Sequence, residues 1–380
     1  MVIIGILKES GDENRVSALP EIASQLIKMN FEVHVETGAG INAFASDNDY
    51  IQSGANISDR DLILRTADII LKINSFDKPD IDKIKSGAIV IAILQPYINT
   101  GLVRDLHEKG ITSFSLETIP RTTRAQIMDV LSSQATAAGY KAVLIAATHL
   151  AKFFPMFMTA AGSITPAKVL IIGAGVAGLQ AIATARRLGG VVEVFDTRAA
   201  VKEEVKSLGG KFIEVEGAAD SVAAEGYAVE QTPEFLVKQR QKIQESAIKS
   251  DVIITTAQIP GKKAPVLISK ESINAMKPGS VIVDLAASTG GNTELTENDK
   301  TINVNGVTII GNSNLPSTIP SDASKMFGKN VLNFLKLILK DGKINLNFKD
   351  DIVKGTCITY NNEVINPKVK ELFSIIKESE

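Results

Sequence analysis

Short apolar runs rich in β-branched residues alternate with amphipathic helical patterns along the first third of the chain. This rhythm is typical of βαβ units and predicts a parallel sheet covered by helices. The first helix is predicted to begin at Pro20, because proline suits the first turn of a helix. The predicted strands of this first series are 2–7, 31–36, 68–73, 88–94 and 111–117.

A long alanine-rich helical stretch, predicted at 126–152, separates this series from a second one. The second series repeats the rhythm, and its predicted strands are 168–174, 191–196, 211–216, 251–257, 280–286 and 307–311. After Pro320 the apolar positions form the wide stripe of another long helix, and Pro367 opens a short amphipathic one. The two series therefore predict two sheets, each built from neighbouring stretches of chain.

Together the patterns predict an α/β protein of two Rossmann-like, doubly wound parallel-sheet domains, joined by two long helices with a cleft between them. The first domain is predicted to be discontinuous, with residues 1–132 and 318–380, and the second to span 133–317. A length of 380 residues supports this division, since it exceeds what one ordinary core accommodates.

Composition removes several classes of function. A net charge of −2 gives no electrostatic footprint for nucleic acid. One cysteine and three histidines argue against a disulfide framework and against a metal centre. We see no export or targeting pattern, and no apolar run reaches the roughly 20 residues that span a bilayer. We therefore expect a cytoplasmic protein without metal, nucleic acid or direct membrane insertion.

The strongest motif is a glycine turn between a buried-type strand and a helix. Gly173 permits the tight turn, Gly175 leaves room where backbone meets a pyrophosphate, and Gly178 lets the helix approach the sheet. Asp196 ends the next predicted strand, where an acid binds the adenosine ribose and disfavours a 2′-phosphate. This context predicts an NAD(H) site, although Arg198 leaves the preference over NADP(H) open.

A second candidate segment starts at Pro120 and runs into the first long helix. Gln126, Asp129 and Ser133 share one predicted helix face, with Ser132, Arg121 and Arg124 close by. Two interpretations stay open: a solvated helix start with capping residues, or a site at the predicted cleft, where ligand sites concentrate. A third segment, 217–233, is either a lid carrying Tyr227 beside Gly226 or a plain insertion.

The histidines His34, His107 and His149 fall within predicted strands or helices, where structural or surface roles account for them. A dehydrogenase acting on an alcohol or amine needs a positioned acid or base. Hydride exchange between two nicotinamides needs none.

With these residues, the chain resembles the NAD(H)-binding subunit of the proton-translocating nicotinamide nucleotide transhydrogenases, in the form where that domain is a separate α1 polypeptide. The similarity covers nearly the whole chain, and its discriminating signature is Arg124-Ala-Gln126 followed by Asp129. Other matching segments are Glu13-Asn-Arg15-Val16, Ala138-Gly-Tyr140, Gly173 to Gly178, Phe195-Asp196-Thr-Arg198, Gly226-Tyr227-Ala228, Thr255-Thr-Ala257, Gly290-Gly-Asn292 and Asn314-Leu-Pro-Ser317.

The resemblance implies a role for each matching residue. Gln126, Arg121 and Asp129 are expected to be catalytic, positioning the nicotinamide and its ribose together with Ser132. Tyr227 is expected on a loop that closes over the nucleotide. The complete predicted nucleotide-binding set is Arg121, Thr122, Thr123, Arg124, Gln126, Asp129, Ser132, Gly173, Gly175, Val176, Gly178, Asp196, Thr197, Arg198, Gly226, Tyr227, Thr256 and Ala257.

The resemblance also implies a reaction and its partners. NADH is the bound substrate, and hydride passes directly to NADP⁺ held on the β subunit of the complex. Membrane-spanning subunits couple this transfer to proton movement, so the chain would sit peripherally at the cytoplasmic membrane. A homodimer of this subunit is implied as well.

Alanine dehydrogenase is the alternative, because it is homologous to this family. The chain keeps Arg15 and Lys72 where that relative would hold a keto-acid carboxylate. It lacks a histidine in Ala92-Ile-Leu-Gln95-Pro96, and Ser288 stands where a catalytic carboxylate is expected. Ser288 and Gln258 also depart from the transhydrogenase pattern. A third interpretation, an NAD-binding scaffold without catalysis, gives no reason for Arg121, Gln126, Asp129 and Tyr227 to occur together.

Overall fold

The computed structural model of the chain describes residues 1–215, 232–259 and 261–379. They form two compact units. Unit 1 comprises Met1–Gln134 with Pro316–Glu380, and unit 2 comprises Ala135–Leu315.

The N-terminal segment of unit 1 supplies six parallel strands and five helices. The strands are β1 (Ile3–Ile6), β2 (Glu32–Glu36), β3 (Asn56–Ser58), β4 (Ile69–Leu71), β5 (Ile89–Ala92) and β6 (Thr112–Ser115). The helices are α1 (Pro20–Lys28), α2 (Asp47–Gln52), α3 (Arg60–Thr66), α4 (Lys78–Lys83) and α5 (Thr100–Glu108). Side chains of Ser46, Asp59 and Asp77 cap α2, α3 and α4, so local sequence fixes where these helices begin.

The first long helix, α6 (Val130–His149), is shorter than the predicted stretch of 126–152. Residues Thr123–Met128 form a separate 3₁₀ helix instead. The carbonyl of Ile127 accepts hydrogen bonds from the amides of Asn330 and Asn333, and Asp129 has a non-helical ψ of 94°. The predicted continuous helix is therefore wrong at its start, because Asp129 ends one element and caps the next.

Unit 2 contains a separate hairpin and a seven-stranded sheet. The hairpin is β7 (Phe157–Thr159) with β8 (Gly162–Ile164). The sheet contains β9 (Lys168–Ile172), β10 (Val191–Phe195), β11 (Lys211–Phe212), β12 (Val252–Thr255), β13 (Val281–Asp284), β14 (Thr301–Val304) and β15 (Val307–Ile310). Its helices are α7 (Val176–Arg187), α8 (Lys202–Ser207), α9 (Pro233–Lys249) and α10 (Lys270–Asn274).

The C-terminal segment returns to unit 1 and completes it. Its elements are α11 (Pro320–Ile338), β16 (Leu339–Lys340), β17 (Lys343–Ile344), α12 (Asp351–Thr356), β18 (Cys357–Tyr360), β19 (Glu363–Val364) and α13 (Pro367–Ser379). Phe327 and Phe334 of α11 are fully buried in the core of unit 1. The predicted apolar stripe of this helix thus packs against its own unit.

The two sheets share the order of their six parallel strands and differ at one edge. Unit 1 has the order β19-β18-β6-β5-β4-β1-β2-β3, and unit 2 has β11-β10-β9-β12-β13-β15-β14. All neighbouring strands are parallel except at one edge of each sheet, where β18, β19 and β14 pair antiparallel. Each sheet buries a hydrophobic cluster on both of its faces. The predicted α/β fold with two parallel-sheet domains is confirmed, with antiparallel edges that the patterns did not predict.

Among the described residues, no helix combines the length and apolar character needed to cross a membrane. The same stretches of the chain contain no group of three or more acidic, histidine or cysteine residues arranged to hold a metal ion.

Candidate functional site

The strand order of unit 2 creates a reversal point between β9 and β12. These strands are hydrogen-bonded neighbours, and the chain continues from β9 to β10 on one side and from β12 to β13 on the other. Ligands of open α/β sheets bind at the carboxyl ends of strands at such a point. Gly173 follows β9 there, and Thr256 follows β12.

The three motif glycines meet different surroundings. Gly173 has a φ of 100°, and a Cβ on it would lie 2.4 Å from the hydroxyl of Thr256. A Cβ on Gly178 would lie 1.9 Å from the carbonyl oxygen of Gly173. A Cβ on Gly175 would meet no atom within 4 Å. The first and third glycines therefore permit the turn and its packing, whereas the second leaves open space.

That open space adjoins the start of α7. Gly175 is the residue before the helix, and no side chain of the described residues caps this N-terminus. Val176, the first helical residue, is exposed. An uncapped helix start offers backbone N–H groups and a positive dipole end, which favour a phosphate.

Asp196 follows β10 and lies beside the glycine turn. Its Oδ2 accepts a hydrogen bond from the backbone N of Ala174 at 2.7 Å. The guanidinium of Arg198 donates to the carboxylate through Nε at 2.9 Å and Nη2 at 2.8 Å. These bonds raise the pKa of Arg198, and Thr197 between the two residues is half-buried. The carboxylate predicted to bind the ribose therefore lies next to the glycine turn and is paired with a cation.

The residues after β12 lie at the same edge of the sheet and are held there by hydrogen bonds. The Thr256 hydroxyl donates to the carbonyls of Gly173 at 3.1 Å and Ile172 at 3.3 Å. Ala257 donates its N–H to Oδ1 of Asn292 at 3.0 Å, and its carbonyl accepts from Nδ2 of Asn292 at 2.8 Å. Thr256 is thus bonded to the glycine turn, and Ala257 is held by Asn292.

Asn292 is a residue to which the sequence patterns assigned no role. It is fully buried, it also donates to the carbonyl of Pro265, and its own N–H donates to Asp284 at 2.6 Å. The signal that could have found it is its position after Gly290 and Gly291, both of which adopt positive φ. Gln258, a departure from the family pattern, is exposed and donates to the carbonyl of Leu285.

The second candidate segment, 121–132, lies in unit 1 and is held from several sides. Ala125 and Met128 are buried in the core of this unit. Arg124 donates to both carboxylate oxygens of Asp350, at 2.6 and 2.7 Å, and also pairs with Asp351. Arg124 was predicted to bind the nucleotide, but its guanidinium pairs with carboxylates at the start of α12.

Asp129 and Ser132 form the cap of α6. Asp129 accepts from the backbone N of Ser132 at 2.9 Å and from its hydroxyl at 2.6 Å. The capping interpretation of this segment is thus present in the structure. Its outward positions, Arg121, Thr122, Thr123 and Gln126, are all exposed. The segment combines a fixed backbone with polar side chains at the surface of its unit.

The loop after β1 in unit 1 carries several buried charged side chains, unlike the glycine turn after β9. Arg15 donates to Glu13 through Nε at 2.8 Å and Nη2 at 2.5 Å, and to Oε1 of Gln134 through Nη1 at 2.7 Å. Lys72, after β4, is buried with its Nζ on the carbonyl of Ser75 at 2.9 Å. Burial raises the pKa of Glu9 in the same loop.

The strand end that lacks the alanine dehydrogenase histidine carries Gln95, which has a φ of 53°. Its backbone N donates to Glu117 at 2.5 Å, and burial raises the pKa of that carboxyl. Ser288 is exposed in a short 3₁₀ helix of unit 2. Gly226 and Tyr227, the predicted lid residues, lie outside the described residues.

Family models and relatives match this chain along nearly its whole length. The model described as "Alanine dehydrogenase/PNT, N-terminal domain" matches residues 5–138, and the C-terminal domain model matches 142–367. An NAD(P) transhydrogenase subunit alpha polypeptide of Rickettsia prowazekii is 43% identical over 384 aligned residues, covering 100% of both chains. A solved transhydrogenase structure from Sinorhizobium meliloti is 44% identical with a TM-score of 0.88, covering 96% of this chain and 100% of that one. An alanine dehydrogenase of Staphylococcus saprophyticus is 26% identical, covering 98% of this chain and 97% of that one.

Proposed function

This chain belongs to the alanine dehydrogenase/PNT family, in its transhydrogenase branch, and from that membership we propose that it is the NAD(H)-binding catalytic subunit of a proton-translocating transhydrogenase. The reaction is NADH + NADP⁺ → NAD⁺ + NADPH. A hydride carries two electrons from the dihydronicotinamide to the second nicotinamide, so no protein group has to take up a proton. The observation that carries the proposal is the glycine turn of unit 2, with open space at Gly175 beside an uncapped α7.

In this proposal unit 2 holds the adenosine and pyrophosphate end of NAD(H). The N–H groups at the start of α7 bind the pyrophosphate, and Asp196 binds the ribose. Thr256 supports the turn through its bond to the Gly173 carbonyl. The residues present suit a dinucleotide in shape, because the glycine turn leaves space for it, and in charge, because the helix dipole favours an anion.

The segment 121–132 is proposed to serve the nicotinamide end. Gln126 is exposed on a backbone fixed by Arg124, Ile127 and Asp129, which is the combination that positioning a reactive ring requires. Arg121, Ser132 and Tyr227 belong to the same proposed set. Positioning and exclusion of water would supply the rate, as expected for a transfer without acid or base catalysis.

The partners follow from the same premise. NADP(H) would bind on a β subunit, membrane-spanning subunits would couple the transfer to proton movement, and this chain would be a homodimer at the cytoplasmic face. The experiment mixes the purified chain with a transhydrogenase NADP(H)-binding domain and follows exchange between NADH and an NADP⁺ analogue. Exchange supports the proposal. Absence of exchange together with NAD-dependent turnover of alanine would support alanine dehydrogenase instead.

Gln126→Asn tests the positioning role within that assay. The shorter amide should slow exchange at least about tenfold while NADH affinity changes much less, because misplacement acts on the transition state. Gln241→Asn, at an exposed glutamine of α9 bonded to Glu245, is the matched control and should leave both unchanged. Equal losses of rate and affinity in Gln126→Asn would contradict a positioning role.

A further inference from the structure

The carboxylate of Asp196 is occupied by donors from its own unit. Oδ1 accepts from the backbone N of Arg198 at 2.8 Å and from its Nε at 2.9 Å. Oδ2 accepts from the backbone N of Ala174 at 2.7 Å and from Nη2 of Arg198 at 2.8 Å. Because a carboxylate has about four lone-pair sites, these four donors leave none for the hydroxyls of a ribose.

Two of these donors cannot leave without rebuilding the backbone. The N–H of Ala174 belongs to the glycine turn, and the N–H of Arg198 belongs to the chain that follows β10. The other two belong to the Arg198 side chain, which can change rotamer without moving the backbone. A ribose that binds Asp196 therefore displaces this guanidinium, and the displaced group stays tethered two residues from the ribose acid.

A guanidinium at that position has a specific chemistry. Its planar fork binds a phosphate through two parallel hydrogen bonds, and its charge persists at any physiological pH. NADP(H) differs from NAD(H) by a phosphate on the 2′-oxygen of the adenosine ribose, the hydroxyl that the acid of a Rossmann site contacts. The charge of Glu204 also acts on Arg198, more weakly than that of Asp196.

We propose that Arg198 is a latent binding residue for the 2′-phosphate of NADP(H), and that Asp196 selects NAD(H) partly by holding this guanidinium. The inference rests on the proposed NAD(H)-binding role of unit 2 and adds the residue that determines the coenzyme class. Asp196 then has two actions: it repels a 2′-phosphate, and it withholds the cation that would bind one.

The experiment measures dissociation constants of NADH and NADPH for the full chain by fluorescence of the dihydronicotinamide. Wild type should prefer NADH. Asp196→Asn keeps the side-chain shape and releases Arg198. It should therefore lower the affinity for NADH and raise the affinity for NADPH about tenfold, as expected for a new charge-assisted pair. Asp196→Ala should change both affinities in the same direction. It serves as a second variant if Asp196→Asn impairs folding, and thermal unfolding of each variant checks this.

The deciding variant is Arg198→Met in the Asp196→Asn background. It should abolish the gain in NADPH affinity, whereas Lys202→Met in the same background should retain it, since Lys202 is engaged with Glu214. A gain that survives Arg198→Met would come from removing the repulsive carboxylate alone and would overturn the proposal. So would Asp196 variants that gain no NADPH affinity in a chain whose wild type binds NADH. A wild type that binds no NADH would instead refute the proposed function itself.

Discussion

The two units have the same arrangement of six parallel strands, but the loops that follow the carboxyl ends of these strands differ. In unit 2 the turn after β9 is made of glycines, and the position of Gly175 opens onto space. In unit 1 the equivalent edge, after β1 and β4, is filled by the side chains of Glu9, Glu13, Arg15 and Lys72, all buried. The sheet creates a reversal point in both units. The loop that follows decides whether that point is open to a ligand or closed by the protein's own charges.

The largest expected effect on stability is that of Glu13→Ala, which tests whether the buried charges of unit 1 are structural. It leaves Arg15 buried without the carboxylate that accepts two bonds from its guanidinium, so we expect the free energy of unfolding to fall by about 3–5 kcal/mol. Urea denaturation measures this. Glu203→Ala, in an exposed pair with Lys206, should leave the free energy of unfolding almost unchanged. A similarly small loss for Glu13→Ala would show that the filled edge of unit 1 is not structural.

The next effect separates packing from ligand space within the glycine turn. Gly178→Ala places a Cβ 1.9 Å from the Gly173 carbonyl and should cost about 2–3 kcal/mol of stability. Gly175→Ala meets no atom within 4 Å at an ordinary φ of −76°, so stability should hold. Its NADH affinity should fall about tenfold, or about 1.4 kcal/mol, because the methyl group occupies ligand space. Calorimetry and NADH titration measure both variants. Unchanged NADH affinity in Gly175→Ala would mean that the open space is not used.

The smallest expected effect concerns the ion pair that links the segment 121–132 to the start of α12. The guanidinium of Arg124 lowers the pKa of Asp350, and a carboxyl with a lowered pKa stabilises the fold above its unfolded value of about 3.9. Arg124→Met should therefore lower the free energy of unfolding at pH 7, by less than Glu13→Ala or Gly178→Ala does, because the pair is exposed and screened by solvent. The difference from wild type should shrink as pH falls below about 4 and vanish once Asp350 is protonated. Urea titrations across this range check the sign, and a difference that grows towards acid would contradict it.

The sequence patterns predicted those features of the fold that depend on residues close together in the chain. The two parallel α/β sheets and the membership of the transhydrogenase branch are confirmed. Asp196 lies beside the glycine turn because β9 and β10 are neighbouring strands of one βαβ unit. Roles at that edge remain predictions, as do those of Gly226 and Tyr227.

What the patterns did not predict depends on residues far apart in the chain. Arg124 meets Asp350 and Ile127 meets Asn330, so the break between the 3₁₀ helix and α6 has no local signal. Of the strand predicted at 211–216, only Lys211–Phe212 pairs among the described residues. The strands β14, β18 and β19 at these sheet edges are antiparallel and only two to four residues long, too short for a clear alternating pattern.

The return of the C-terminal segment to unit 1 has a consequence for synthesis on the ribosome. β6 pairs with β18 through residues such as Ser113 and Thr359, which are 246 positions apart. All of unit 2 is translated between them, so unit 2 can condense while β6 is still an unpaired strand edge. Three of the four residues of β6 carry hydroxyl groups. A nascent chain would thus present a polar edge to its surroundings until its last strands emerge, which reduces its risk of aggregation.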